Sequence, residues 1–207
     1  IRPKTILKMN RALLWRGGLL GVILGVAYIA QTIGLEQSTA AITGFFTGLY
    51  VVLTPVLGFF IFKKKLDFRV FIGVVLATIG LALLSLNGLS IEPGQLWGIA
   101  CALLFAAHIV ALGAWSPGKN VYVLTVLQLG TMAVINWIGA LVNDGSYQSP
   151  PNWDVWFAVI FTAVFATAIA FFVQTWAQSL MEASRVAIIL TTEIVWAAVI
   201  AVAVGQE

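Results

Sequence analysis

Five polar side chains interrupt a stretch of chain that is otherwise apolar. Thr39, Thr43, Thr47, Tyr50 and Thr54 follow one another at spacings of 4, 4, 3 and 4, which on a helix puts all five on one face. A threonine hydroxyl can satisfy itself on the preceding helical turn, so threonines alone decide little. With a tyrosine in register, the stripe marks either the lining of a wet cavity or a line of interhelical hydrogen bonds. The pattern returns elsewhere. Thr167, Phe171, Gln174 and Gln178 lie at i, i+4, i+7 and i+11, Tyr28 and Gln31 are three apart, and Thr125, Gln128 and Asn136 fall near one face. A glutamine held among apolar residues must find partners or water. Any cavity in this chain is expected to have these faces as its walls.

Two ionisable residues lie in the same apolar surroundings, Glu193 and His108. A carboxylate inside a membrane is costly and marks function by default, and desolvation disfavours its charged form, which suits proton binding. The competing reading is a structural Glu bonded to a neighbouring helix. For His108 a satisfied structural role is the stronger reading. Trp196 lies one turn after Glu193 and serves either as a solute wall or as core packing. Several chemistries are excluded. There is no glycine-rich phosphate loop, no His/Asp/Glu set with metal spacing, and no recognisable Ser-His-Asp set around the single His. No Lys lies within an apolar span, so a retinal Schiff base has no attachment point. No cofactor is expected, and the protein is not expected to be an enzyme.

The elements that hold these residues follow from composition. Of the 207 residues, 61% are hydrophobic and 9% charged, and the mean hydropathy is +1.02. Soluble domains are nearer half apolar and a quarter charged. A helix needs about 20 apolar residues to cross the hydrocarbon, and seven segments meet that length: 14–34, 38–62, 66–86, 94–115, 120–142, 153–180 and 184–205. Drawn this way, all 11 Lys and Arg residues fall on one side. Arg2, Lys4, Lys8, Arg11 and Arg16 lead, followed by Lys63, Lys64, Lys65 and Arg69, then Lys119, then Arg185. The connections 34–38, 87–93 and 143–152 and the C-terminus hold none. Cationic residues near span ends stay in the cytoplasm during insertion, so 63–69, 116–120 and 181–185 are predicted to be cytoplasmic. The pI of 9.2 therefore reflects inside-positive loops rather than a nucleic-acid-binding face. Cys101, the single cysteine, lies within a span and excludes a disulfide framework.

The connections are short, which implies antiparallel neighbouring helices. Gly17, Gly21 and Gly25, and likewise Gly44 and Gly48, repeat every four residues, a spacing that lets helix backbones approach closely in lipid. Pro55 is the only proline inside a span and is expected to kink it. Trp15, Trp97, Trp115, Trp153 and Trp156 lie near span ends and read as interface anchors, whereas Trp137 and Trp176 are deeper. Tyr28-Ile29-Ala30-Gln31-Thr32 ends the first span much as Phe172-Val173-Gln174-Thr175 ends the sixth. Each is followed by a tight turn and another span, with the two copies in opposite orientation. Such inverted repeats are a hallmark of secondary transporters.

The run from Ser38 through Ala41, Gly44, Thr47 and Tyr50 to Pro55 (STAAITGFFTGLYVVLTP) resembles the EamA-type branch of the drug/metabolite transporter superfamily. So do Gly73–Leu86 (GVVLATIGLALLSL) and Ala183–Glu207, with Thr192-Glu193, Trp196-Ala197-Ala198 and Gly205-Gln206-Glu207. Two positions depart from that pattern. Ile194 follows Glu193 where a proline is frequent, and Lys63-Lys64-Lys65 occupies the corner where many members carry Gly-Glu. The resemblance implies an all-α membrane protein, a multi-span bundle of two inverted five-helix repeats, of which this chain holds seven spans. Residues 1–90 would form the first repeat and 91–207 the second, with two spans expected before Ile1 and one after Glu207.

The resulting expectation is a secondary transporter, an exporter or exchanger of a small organic metabolite working by alternating access in the cell membrane. The central cavity is placed among the first, second, fourth, sixth and seventh spans. Its expected wall is Tyr28, Gln31, Thr43, Thr47, Tyr50, His108, Gln174, Glu193 and Trp196. Expected partners are a small-molecule solute and the lipid bilayer, with protons as the candidate coupling ion and no nucleic acid; a homodimer is left open. The alternative is a seven-helix receptor or another non-transport integral membrane protein, disfavoured by the cytoplasmic first residues. A membrane enzyme would need a clustered catalytic set at one interface, and none is present.

Overall fold

The structure is a computed structural model that describes residues 11–38, 40–63, 68, 71–72, 75–76, 93–142, 149–190 and 192. Among them there are helices and no strands. In chain order these are α1 (Arg11–Glu36), α2 (Ala40–Gly48), α3 (Tyr50–Phe62), α4 (Pro93–Trp115), α5 (Val121–Val142), α6 (Trp153–Phe161), the π-helical segment π1 (Thr162–Ile169), α7 (Ala170–Leu180) and α8 (Ala183–Leu190). Among the described residues five stretches are long and apolar enough to cross a membrane: Arg11–Glu36, Ile42–Ile61, Pro93–Trp115, Val121–Val142 and Trp153–Leu180. Their 20 to 28 residues reach about 30 Å or more at 1.5 Å per residue, the depth of the hydrocarbon. The expected third span, 66–86, lies largely outside the described residues, and the seventh, 184–205, does so beyond Leu190 apart from Thr192.

Local chemistry sets the helix ends. Pro93 opens α4, where its missing N–H costs nothing. Asn120 and Asn152 cap α5 and α6, their side-chain oxygens accepting from the Val123 N–H at 3.2 Å and the Val155 N–H at 3.0 Å. Asp154 adds an acid in the first turn of α6. At the basic corner, Lys63 ends α3 in the left-handed conformation (φ 51°), its N–H returning to the Gly58 carbonyl.

The chain forms two compact units. The first comprises Ile1–Val26 and Leu112–Met181, and in it the start of α1 packs on α5 along the predicted glycine seam. A methyl group built at Gly17 would lie 2.6 Å from Leu127 Cβ, and one at Gly25 would lie 2.8 Å from Ile135 Cγ2. At Gly21 it would collide with the Gln128 carbonyl oxygen and Thr131 Cβ. Helix α5 also packs on α7. The second unit comprises Ala27–Ala111 and Glu182–Glu207. There α3 packs on α8, and α2 closes on α4 where Gly98 faces Phe46, a methyl at Gly98 lying 2.7 Å from Phe46 Cβ. Ala102 and Ala106 continue this small-residue face and are wholly buried. Packing of this kind substitutes for the hydrophobic driving force, which lipid does not supply between helices.

Several expectations need adjustment. A methyl at Gly44 would meet nothing within 4 Å, so the second glycine pair is no seam at that position. Pro55 lies inside α3, while the interruption of the second span falls at Leu49, between α2 and α3. There the Leu49 N–H reaches back to Phe46 and the Val52 N–H to Leu49, i to i−3 contacts that tighten the turn. Gly48 immediately before it is a poor helix former. The sixth span, expected as a plain helix, holds the eight-residue π1. The deeper tryptophans Trp137 and Trp176 are 65% and 54% exposed and so face outward.

Candidate functional site

Among the described residues the polar side chains singled out above collect in two clusters, one within each unit. In the second unit, the threonine stripe on α2 and α3 points inward, as its spacing requires. Thr43 Oγ1 donates to the Gly34 carbonyl of α1 at 3.3 Å. Thr47 Oγ1 donates to Cys101 Sγ of α4 at 3.9 Å, the longer reach of a sulfur acceptor. Thr54 Oγ1 turns back to its own helix, donating to the Tyr50 carbonyl at 2.6 Å. All three are buried. Of the two readings of the stripe, interhelical hydrogen bonding thus describes Thr43 and Thr47. Thr39 lies outside the described residues.

Tyr50 differs from its threonine neighbours. It is half-buried, and its ring meets Phe105 of α4 at 6.3 Å between centroids and 69° between planes. Tyr28 of α1 meets the same Phe105 at 5.5 Å and 86°. Phe105 therefore joins two residues that the sequence singled out on two different spans. All three residues are half-buried, and their edge-to-face contacts are of the kind the ring quadrupole favours. On α4, Cys101, Phe105 and His108 fall at i, i+4 and i+7 and share one face. His108 is 1% exposed. Gln31 is half-buried one turn beyond Tyr28.

The first unit holds the other cluster. Gln128 Nε2 of α5 donates to Thr175 Oγ1 of α7 at 2.8 Å, and Thr175 Oγ1 donates in turn to the Phe171 carbonyl at 2.6 Å. Both side chains are wholly buried, and Gln178 lies one turn further on with 1% exposed. Thr125, one turn before Gln128, is buried with its hydroxyl unpartnered among the described residues. Gln174 is half-buried in this unit and Thr167 is half-buried on π1.

Of the nine expected wall residues, six lie in the second unit: Tyr28, Gln31, Thr43, Thr47, Tyr50 and His108. Gln174 belongs to the first unit. Glu193 and Trp196 lie outside the described residues. Sequence reasoning missed Phe105, which has no polar atom and no unusual spacing to mark it. The pairing of Thr175 with Gln128 on α5 likewise has no signal in the spacing of 174–178. Among the described residues no group of His, Cys, Asp and Glu is arranged to hold a metal.

Helices that cross a membrane and bury hydroxyls and amides at depth, away from their charged ends, define a multi-pass membrane protein with a polar interior. The chain matches the EamA-like transporter family over residues 2–86 and 92–207, and it belongs to that family. It is 33% identical to an uncharacterized transporter of Archaeoglobus fulgidus over 189 residues, 91% of this chain and 60% of that protein. It is 23% identical to the uncharacterized transporter YetK of Bacillus subtilis over 147 residues, 67% of this chain and 44% of that protein. The chain thus spans 60% or less of the length of these relatives. A solved crystal structure shares the fold with a TM-score of 0.73 at 20% identity, covering 98% of this chain and 71% of that one. The family and both relatives are named for transport rather than for an enzymatic activity.

Proposed function

We propose that the protein is a secondary transporter that exports or exchanges a small organic solute by alternating access, built from inverted repeats at 1–90 and 91–207. The observation that carries this reading is the second unit's cluster, in which Tyr28 and Tyr50 from two spans meet on Phe105 and stay half-buried. Solute sites combine apolar and aromatic walls with a few polar groups that fix orientation. Tyr28, Tyr50 and Phe105 supply the first kind of surface, and Gln31 and His108 the second. Thr43 and Thr47 serve the site by tying α2 to α1 and α4. Family membership favours this reading over a receptor.

Glu193 is the proposed coupling residue. It is the one carboxylate near mid-depth of the seventh span, and an ionisable residue at that depth marks function by default. The test uses the full-length protein in proteoliposomes with an internal pH dye and a panel of metabolites added outside. Solute-dependent proton movement is expected, and Glu193→Gln, which keeps size and hydrogen bonding but cannot titrate, should abolish it while the variant remains folded. Wild-type flux in that variant across pH 5–8 would make the residue structural and end the coupling mechanism.

A further inference from the structure

Resting on the transport reading, we infer that the Tyr28–Phe105–Tyr50 cluster selects solutes carrying an organic cation, an alkylated or protonated amine with an apolar body. Three aromatic rings from α1, α3 and α4 converge within one unit, with Phe105 in ring contact with both tyrosines at 5.5 and 6.3 Å. All three residues are half-buried. An aromatic face attracts a cation through its quadrupole, most strongly where water is thin, and a cluster of such faces is the usual receptor for an ammonium group.

Charge balance at depth points the same way. No Lys lies within any span of the chain, and Arg16, Arg69 and Arg185 each fall in the first turn of theirs. A phosphate or carboxylate solute would arrive at mid-depth without a cationic side chain to meet it, a steep desolvation cost. Among the described residues the second unit's interior is likewise free of acids, since Glu36 and Glu182 lie at helix ends. Among the described residues the aromatic faces are then the principal attraction for a positive charge, to which Glu193, the proposed coupling carboxylate, would add. The neighbours of the cluster on α4 are Cys101 and His108, one turn to either side. Thr47 holds the first, which ties α2 to α4 beside the rings.

Equilibrium binding of benzyltrimethylammonium to the purified full-length protein in detergent, followed by calorimetry, tests this. Benzyl alcohol serves as the neutral probe and benzenesulfonate as the anionic one. Saturable binding of the cation is expected, with benzenesulfonate silent. Phe105→Leu, which keeps an apolar side chain but removes the π face, should weaken the cation roughly tenfold or more and benzyl alcohol far less. Phe105→Trp should retain cation binding, which separates loss of the quadrupole from a packing defect. Equal weakening of cation and alcohol by Phe105→Leu would overturn the inference, as would binding of benzenesulfonate as tight as that of the cation. Absence of saturable cation binding would overturn it too, while leaving transport itself to the proton-flux panel, which does not depend on this probe.

Discussion

Two Gln-Thr pairs, at 31–32 near the end of α1 and at 174–175 in α7, begin from the same local chemistry and end differently. Thr32 Oγ1 donates to the carbonyl four residues back at Tyr28, 2.9 Å away, and Thr175 Oγ1 donates to the carbonyl four residues back at Phe171, 2.6 Å away. In each pair the glutamine is half-buried. Yet Thr32 is exposed, while Thr175 is wholly buried and also accepts from Gln128 on α5. The helix supplies the first bond to any threonine at no tertiary cost. Only the neighbour supplies the second. What distinguishes the two regions is therefore what packs beside them: around Thr175 lies a closed interhelical network, and around Tyr28 and Gln31 lies an aromatic cluster with surface left open. The first arrangement is suited to holding helices together and the second to receiving something.

The largest expected effect lies beneath the closed network. Gly21 sits where a side chain would strike the Gln128 backbone carbonyl and Thr131 Cβ, and a backbone group cannot swing aside as a flexible side chain can. Gly21→Leu should therefore separate α1 from α5 and lower stability by about 3 kcal/mol or more, beyond ordinary overpacking. Gly44→Ala, at a position where a methyl meets nothing within 4 Å, should change stability little. Thermal unfolding of the two variants in the same detergent measures the contrast. Equal melting temperatures would remove the glycine seam as the support of the Gln128 cluster.

Smaller, and aimed at the network itself, is the coupling between Gln128 and Thr175. A double-mutant cycle of Gln128→Leu and Thr175→Val should give an interaction energy of about 0.6 kcal/mol, the average for hydrogen bonds between membrane helices, and at most about 1.7. Thr125→Val serves as the control, because its hydroxyl has no partner among the described residues and its loss leaves nothing stranded. A cycle that closes at zero would mean the 2.8 Å contact contributes no more than the alternatives each side chain finds on its own.

Much of this contrast was legible in the sequence. The 4, 4, 3, 4 spacing from Thr39 to Thr54 reads directly as a helix face, and burial of Thr43, Thr47 and Thr54 agrees with it. The glycine repeat at 17, 21 and 25 likewise marks a backbone approach that three close contacts bear out. Other features had no signal to read. Phe105 is one apolar residue among many in α4, and its role arises only from the rings that reach it from α1 and α3. The π-helical segment 162–169 changes hydrogen-bond register without changing composition, so periodicity passes over it. The break at Leu49 could not be placed from Pro55, because a proline removes one hydrogen bond but leaves its neighbours to decide where the helix yields.

The smallest predicted effect concerns Thr32, and it tests whether local chemistry alone can produce a network. Thr32→Val removes the bond to the Tyr28 carbonyl, yet valine keeps the β-branched shape, and that carbonyl can still accept the helical N–H of its own turn. No buried partner is stranded, since Thr32 is exposed. The change in stability should stay within about 0.5 kcal/mol, as for surface substitutions generally, and below that of Thr175→Val measured alongside it. Both threonines would lose an i−4 bond, so any difference between the variants reports the tertiary contribution at Thr175 alone. A loss at Thr32 as large as that at Thr175 would show that another element engages Thr32, and the two Gln-Thr pairs would then be alike in role as well as in sequence.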